Sequence, residues 1–218
     1  MSERRKISFP KVTVVLAVVN IVIFLCSDLF FYKQAEELAL HMTLNAGYVL
    51  EKGEYYRMLT AMFFHYDIGH IMSNMLMLFV LGNFLEALFG KIHFIILYFV
   101  SGFVAHTAAI VYNGIIVEEN RWQVFGTGAS GAIFGLMGAY IAMYLVFWKK
   151  MSEAQKKYWP TGLVLMLIGL LFGDSMGLEV HCAGLLTGFL IGGMYCLRMR
   201  KILEQRSHGE RNVYGGDQ

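Results

Sequence analysis

Charge is scarce in this sequence. Asp, Glu, Lys and Arg make up 16% of its 218 residues, against about 25% in an ordinary soluble domain. A water-soluble enzyme or binding module of this length is excluded, because its surface needs more charge than that. Cysteine is scarce too, and Cys26, Cys182 and Cys196 all lie inside apolar stretches. Three cannot pair completely and their spacing matches no zinc or redox pattern, so they read as buried thiols packing like small apolar residues. No segment repeats another, which speaks against a transporter built from duplicated halves. The basic residues sit in short clusters between apolar runs, a pattern that gives no reason to expect a nucleic-acid partner.

What is present is apolar. Of the whole chain, 57% is hydrophobic, gathered in runs at roughly 12–32, 69–89, 92–113, 129–148, 159–173 and 180–197. A helix crossing a hydrocarbon core of about 30 Å needs about 20 residues, so the runs predict an all-α polytopic membrane protein with six spans. The first run follows MSERRK and continues through Phe31 without a small-x-small cleavage site, which identifies a retained anchor helix rather than a signal peptide.

Charge placement fixes the count. With both termini cytoplasmic, the inner segments hold Arg4, Arg5, Lys6, Lys11, Lys91, Lys149, Lys150, Lys156, Lys157, Arg198, Arg200, Lys201, Arg206 and Arg211, that is 14 of the 18 basic residues. Only Lys33, Lys52, Arg57 and Arg121 fall outside. This is the positive-inside pattern. The chain must leave and return between its basic stretches at 149–157 and from 198, so the short fifth run, opening with Trp159 and Pro160, counts as a span. Trp122, Trp148 and Trp159 stand near span ends, where interfacial aromatics belong. The expected organisation is a cytoplasmic segment at 1–11, a six-span domain at 12–200 and a cytoplasmic tail at 201–218, polar and disordered in QRSHGERNVYGGDQ. Residues 33–68 form a long outer loop, too apolar for a hydrophilic linker, that is expected to lie partly in the interface as amphipathic pieces.

A polar side chain inside a span costs on the order of 2–3 kcal/mol and calls for a reason. His70, Asn74, Ser130 and His181 stand out. Ser130 opens the fourth span, His181 the sixth, and His70 with Asn74 the second. All three spans start at the outer face, so these residues share one layer despite their distance in sequence. Ser130 lies in Gly126-Thr127-Gly128-Ala129-Ser130-Gly131-Ala132, which is not the G-x-S-x-G elbow of soluble hydrolases. Gly128 lets the chain turn sharply into the helix, and Ser130 then occupies its first turn, where free N–H groups and the positive dipole end stabilise an oxyanion. Gly131, Gly135 and Gly138 form one smooth stripe, and Gly184, Gly188 and Gly192 another below His181. Small-residue stripes let membrane helices approach closely, bringing a serine hydroxyl within about 3 Å of an imidazole on a second helix. His70 and Asn74, one turn apart, share a helix face from which both can donate to a developing oxyanion. Taken singly, a serine beside glycines or a histidine at a span end is more often an ordinary packing or interfacial residue than a catalyst.

At these residues the sequence resembles a rhomboid protease, from about Gly53 to Ile191. The resemblance is carried by G-E-Y-Y-R at 53–57, His70 and Asn74 as H-x-x-x-N, G-A-S-G at 128–131 and H-x-x-G-x-x-x-G at 181–188. It implies a bacterial-type, six-span intramembrane serine protease in the cytoplasmic membrane. Ser130 would be the nucleophile and His181 the base, with no carboxylate partner. His70, Asn74 and the Ser130 N–H would form the oxyanion hole, Gly128 the turn, and Gly184 and Gly188 the contact between the fourth and sixth helices. His65 resembles a structural histidine at the rim of the family's active site. Two positions depart from the usual pattern. Tyr56 stands where Trp usually precedes the arginine, and Phe134 stands where many members carry a Tyr that stacks on the catalytic imidazole; stacking is expected to survive.

The expected reaction is cleavage of a single-span or polytopic membrane protein near the outer end of a transmembrane helix, through an acyl-enzyme, with no cofactor and no metal. The substrate would carry helix-weakening residues and, by the resemblance, a small residue before the scissile bond. Two alternatives stay open: a rhomboid-like binder of membrane helices that does not cut, and a channel or transporter in which His70, His106 and His181 carry protons. The second is disfavoured by the expected lack of repeats, of broken helices and of acids inside the spans. Substrate identity and oligomeric state are not encoded in any feature of the sequence.

Overall fold

A computed structural model describes residues 10–27, 35–153, 156 and 177–214. Its main helices are α1 (Lys11–Leu25), α2 (Ala35–Met42), α3 (Ala46–Lys52), α4 (Arg57–Thr60), α5 (Ile68–Phe89), α6 (Lys91–Val111), α7 (Ser130–Phe147) and α8 (Leu178–Tyr214). There is no β-strand among the described residues, only an isolated antiparallel bridge between Leu44 and Gly126. Helices α5 to α8 are long and apolar enough to cross a membrane, and α1 is apolar but shorter. They correspond to the first, second, third, fourth and sixth apolar runs, so the chain is the helical polytopic membrane bundle that its composition predicts. The fifth run, 159–173, lies outside the described residues, as do 28–32 of the first.

Helix α7 is the centre. In its most apolar window 67% of residues are buried, against 33–50% in the other three long spans, as befits a helix hydrophobic on every side. Helix α8 packs along it in parallel and in strict register. A side chain placed on Gly184 would strike the Gly131 carbonyl, one on Gly188 the Gly135 carbonyl, and one on Gly192 the backbone of Ala139. The two sequence-predicted glycine stripes therefore face each other, one turn at a time. With no Cβ in the way, the backbones approach to a separation that larger residues forbid.

The opening of α5 is set by Asp67, whose side chain accepts from the His70 N–H at 2.9 Å, a standard N-terminal cap. Near its other end the expectation of spans free of acids fails. Glu86 is 5% exposed and accepts from the N–H of Val12 at 3.0 Å, the N–H of Thr13 at 2.8 Å and the Thr13 hydroxyl at 2.9 Å. Glu86 thus caps α1 from another helix: α1 has no side-chain cap at its own N-cap residue, Pro10, and its first N–H groups need acceptors. The carboxylate also meets the positive end of the α1 dipole.

The segment between α1 and α5 contains three short helices, α2, α3 and α4. Arg57 is fully buried and organises them. Its guanidinium donates to the carbonyls of Leu40 and Thr43, pairs with Glu54 at 2.6 Å and lies 4.3 Å from the Tyr48 ring centroid. The hydrogen bond from Arg57 holds the Glu54 carboxyl below its ordinary range. Tyr56, in the place of a usual Trp, donates its hydroxyl to Glu54 at 3.0 Å.

The tail departs from expectation. Helix α8 runs to Tyr214, through most of the stretch after Glu204 read as disordered. No proline interrupts residues 178–214. Glu204 also pairs with Arg200 at 2.8 Å and meets Lys150 of the α7 end at 3.8 Å, so a helix already nucleated in the bundle propagates at little cost.

Glu86→Ala should destabilise the chain by about 2 kcal/mol or more, because three donors lose their acceptor in a buried site. Glu86→Gln, which keeps one acceptor oxygen, should lose less. Unfolding in mixed detergent micelles measures both.

Candidate active site

Ser130 is the first residue of α7. The chain reaches it through an extended segment fastened on one side: Gly126 exchanges both backbone hydrogen bonds with Leu44 at 2.8 Å, and the Gly128 N–H donates to the Ala61 carbonyl at 2.8 Å. Gly128 then has φ +103°, in the region that side-chain-bearing residues rarely adopt. A Cβ on Gly128 would also lie 2.5 Å from His70 Nε2. Two requirements, one torsional and one steric, meet at this glycine.

His181 lies in the first turn of α8. Its Nε2 is 3.4 Å from the Ser130 hydroxyl oxygen, at the outer limit of a hydrogen bond and longer than the ~3 Å expected; such contacts in empty sites commonly tighten when substrate binds. Both residues are 7% exposed. Phe134, one turn below Ser130, stacks on the imidazole with ring centroids 4.2 Å apart and 16° between planes. The aromatic platform expected of the position is therefore present without a hydroxyl.

His70 and Asn74 lie over the turn that leads to Ser130. The same point above Gly128 that is closest to His70 Nε2 is 3.5 Å from Asn74 Nδ2. Both side chains are at least nine-tenths buried. Together with the N–H groups of the first turn of α7, which have no acceptor within the helix, they form a set of donors around one small volume. Such a set stabilises charge that develops on an oxygen.

His65 is 2% exposed and packs edge-on against His70, with ring centroids 4.8 Å apart. Burial, reinforced by the proximity of His70, pushes its imidazole down to about 3. It is neutral throughout the physiological range and supports the His70 ring by shape. His106 lies elsewhere, its Nδ1 2.8 Å from the Met58 carbonyl, anchoring α6 to α4 rather than joining the Ser130 layer. Among the described residues, no three His, Cys, Asp or Glu side chains converge as metal ligands.

Ser130, His181, His70, Asn74, Gly128, Phe134, His65, Gly184 and Gly188 thus gather in one layer or in the helix contact below it. Asn113 and Glu179 were missed. They line a cavity of about 20 Å³ with Gly126, Gly177 and Val180, room for about one water, beside the extended segment that leads to Ser130. Glu179, two residues before His181, was the available signal.

The comparisons with known proteins agree on one family. The Rhomboid domain family model matches residues 52–198. YdcA of Bacillus subtilis (strain 168), a candidate rhomboid protease by its name, is 30% identical over 185 residues, covering 84% of this chain and 87% of its own. RHOMBOID-like protein 1 of Arabidopsis thaliana is 31% identical over 159 residues, 71% of this chain but 38% of that longer protein. Rhomboid-like protease 3 of Toxoplasma gondii is 29% identical over 188 residues, 85% of this chain and 68% of its own.

Two outcomes follow from the geometry. Gly128→Ala should cost about 1–3 kcal/mol of stability from backbone strain, before any effect of the clash with His70. Because the folded-state value of His65 lies below its ordinary 6.5, the folded chain binds fewer protons there than the unfolded one. The stability this group contributes is complete above about pH 6.5 and is lost as pH falls toward 3. Thermal unfolding midpoints between pH 7 and 4 should decline less steeply in His65→Asn than in the parent.

Proposed function

The chain belongs to the rhomboid family, and from that premise we propose that it is an intramembrane serine endopeptidase working through a Ser130–His181 dyad. Family membership and the protease-named relatives support the reaction class. The observation that carries the residue assignment is the 3.4 Å approach of His181 Nε2 to the Ser130 hydroxyl at the start of a buried helix.

In this reading the Ser130 oxygen attacks the carbonyl carbon of a peptide bond as His181 Nε2 takes its proton. The resulting oxyanion accepts from the Ser130 N–H, His70 and Asn74. Collapse of the tetrahedral adduct breaks the C–N bond, and His181 returns its proton to the leaving amine. A water entering from the outer face then hydrolyses the acyl-enzyme with His181 again as base. Stacking on Phe134 holds the plane of the imidazole. The neutral His65 behind His70 keeps a second positive charge away from the dyad.

Placement of the layer at the outer ends of α5, α7 and α8 supports membrane proteins as substrates, cut near the outer end of a transmembrane helix. A helix conceals its peptide carbonyls in its own hydrogen bonds, so the substrate segment must unwind before attack. Segments with weak helix propensity near the bilayer surface are the preferred class, with a small residue before the scissile bond.

Purified Ser130→Ala should show no cleavage of a single-span substrate reconstituted in proteoliposomes, and His181→Ala should match it. Asn74→Ala should lower kcat by about 10²–10³ with a smaller effect on KM, the signature of a lost oxyanion donor. Fluorophosphonate labelling of the parent at Ser130 separates a protease from a binder of membrane helices: no label and no cleavage would overturn the proposal.

A further inference from the structure

At the end of the bundle opposite Ser130 the structure holds a second cavity, of about 260 Å³, lined by Phe89, His93, Tyr195, Arg198, Met199 and Ile202. It lies between the end of α5, the start of α6 and the second half of α8. From His70 to Phe89 the rise along α5 is about 28 Å, so the cavity is one hydrocarbon thickness away from the active-site layer and cannot belong to it. On the same measure one water needs about 10–15 Å³, so this space is made for something larger.

Its chemistry is divided. Phe89, Met199 and Ile202 give an apolar wall. Tyr195 packs edge-on between Phe89 and His93, with ring centroids 5.5 Å and 4.7 Å away, and so forms a stiff aromatic floor. Arg198 and His93 stand exposed at the rim, and among the described residues neither makes an ion pair or a side-chain hydrogen bond. Arg200, two residues along the helix, is by contrast already paired with Glu204. Lys91, Lys149, Lys150 and Lys201 lie at the same end of the bundle, and among the described residues no acidic side chain lines the cavity. An unneutralised guanidinium above an apolar wall at the membrane surface calls for a ligand with an anionic head and an apolar body.

We propose that this groove is a binding site for one anionic phospholipid of the leaflet at the basic end of the bundle. The phosphate would meet Arg198 and His93 at the rim, while an acyl chain lies along Phe89, Met199 and Ile202. Basic pockets between membrane helices are the expected form of such sites. Occupancy would tie the α5–α6 junction to α8, the helix that carries His181 at its far end, through a ligand rather than through protein contacts.

The test is native mass spectrometry of the full, delipidated chain titrated with dioleoylphosphatidylglycerol. The parent should bind a first lipid about tenfold more tightly than later ones. His93→Gln/Arg198→Gln should lose that first step, and Lys201→Gln, which removes a charge outside the groove, should keep it. Met199→Ser, which makes the wall polar without adding a charge, should weaken binding as well. Unchanged thermal unfolding would show that each variant is folded. Equal retention by the double variant would overturn the proposal, as would an equal loss in Lys201→Gln or equal binding of dioleoylphosphatidylcholine. Competition by glycerol 3-phosphate at the same concentration as the lipid would mean a soluble-phosphate site and would overturn it too.

Discussion

Everything else in the bundle depends on the approach of two glycines on α8 to two carbonyl oxygens on α7. Gly184 faces the Gly131 carbonyl and Gly188 the Gly135 carbonyl, so the helices run parallel with their backbones nearly touching. Parallel packing puts both helix starts at one membrane face. Close packing puts residues near those starts within reach of each other. Ser130 and His181 sit one and three residues ahead of the first glycine pair, and their side chains then need only span the small gap that remains. In hydrocarbon no general hydrophobic force draws helices together, so the fit of backbone against backbone carries the association. The geometry of the candidate site is a by-product of that fit.

Much of this was readable in the sequence, for identifiable reasons. The apolar runs and the basic residues at their ends are local features that report position along the membrane normal. That one coordinate places His70, Asn74, Ser130 and His181 at the same depth. The glycine stripes report a face of each helix, and the structure matches the two faces directly. What could not be read depends on contacts made across long stretches of chain. Arg57 is buried because its guanidinium finds the carbonyls of Leu40 and Thr43, and nothing in its neighbourhood announces those partners. The extended segment before Ser130 is held by Leu44, 82 positions earlier, through a bridge too short to leave a strand pattern. Glu86 was visible as a letter, but an acid near the end of a span looks like an interfacial residue until its partner, Thr13, is known. The helical tail was misread because polarity alone does not separate a solvated helix from a disordered segment when a helix already enters from the bundle.

The two departures from the usual family pattern are absorbed in different ways. At position 56 a tyrosine hydroxyl adds a hydrogen bond to Glu54, which Arg57 already holds, so the outer loop keeps its charged centre. At position 134 a phenylalanine keeps the flat contact with His181 and contributes nothing polar. The first is a change of bonding within an intact cluster. The second keeps ring stacking as a restraint on the imidazole plane and gives up a hydroxyl beside it.

The cap on α1 has a consequence for how the bundle is completed. The acceptor for the first N–H groups of α1 is supplied by a residue 73 positions later. Until α5 is in place α1 lacks that acceptor, and Glu86 lacks those donors. Neither segment reaches its final energy until they meet. The two helices therefore complete each other, and the start of α1 is fixed only when the end of α5 stands beside it.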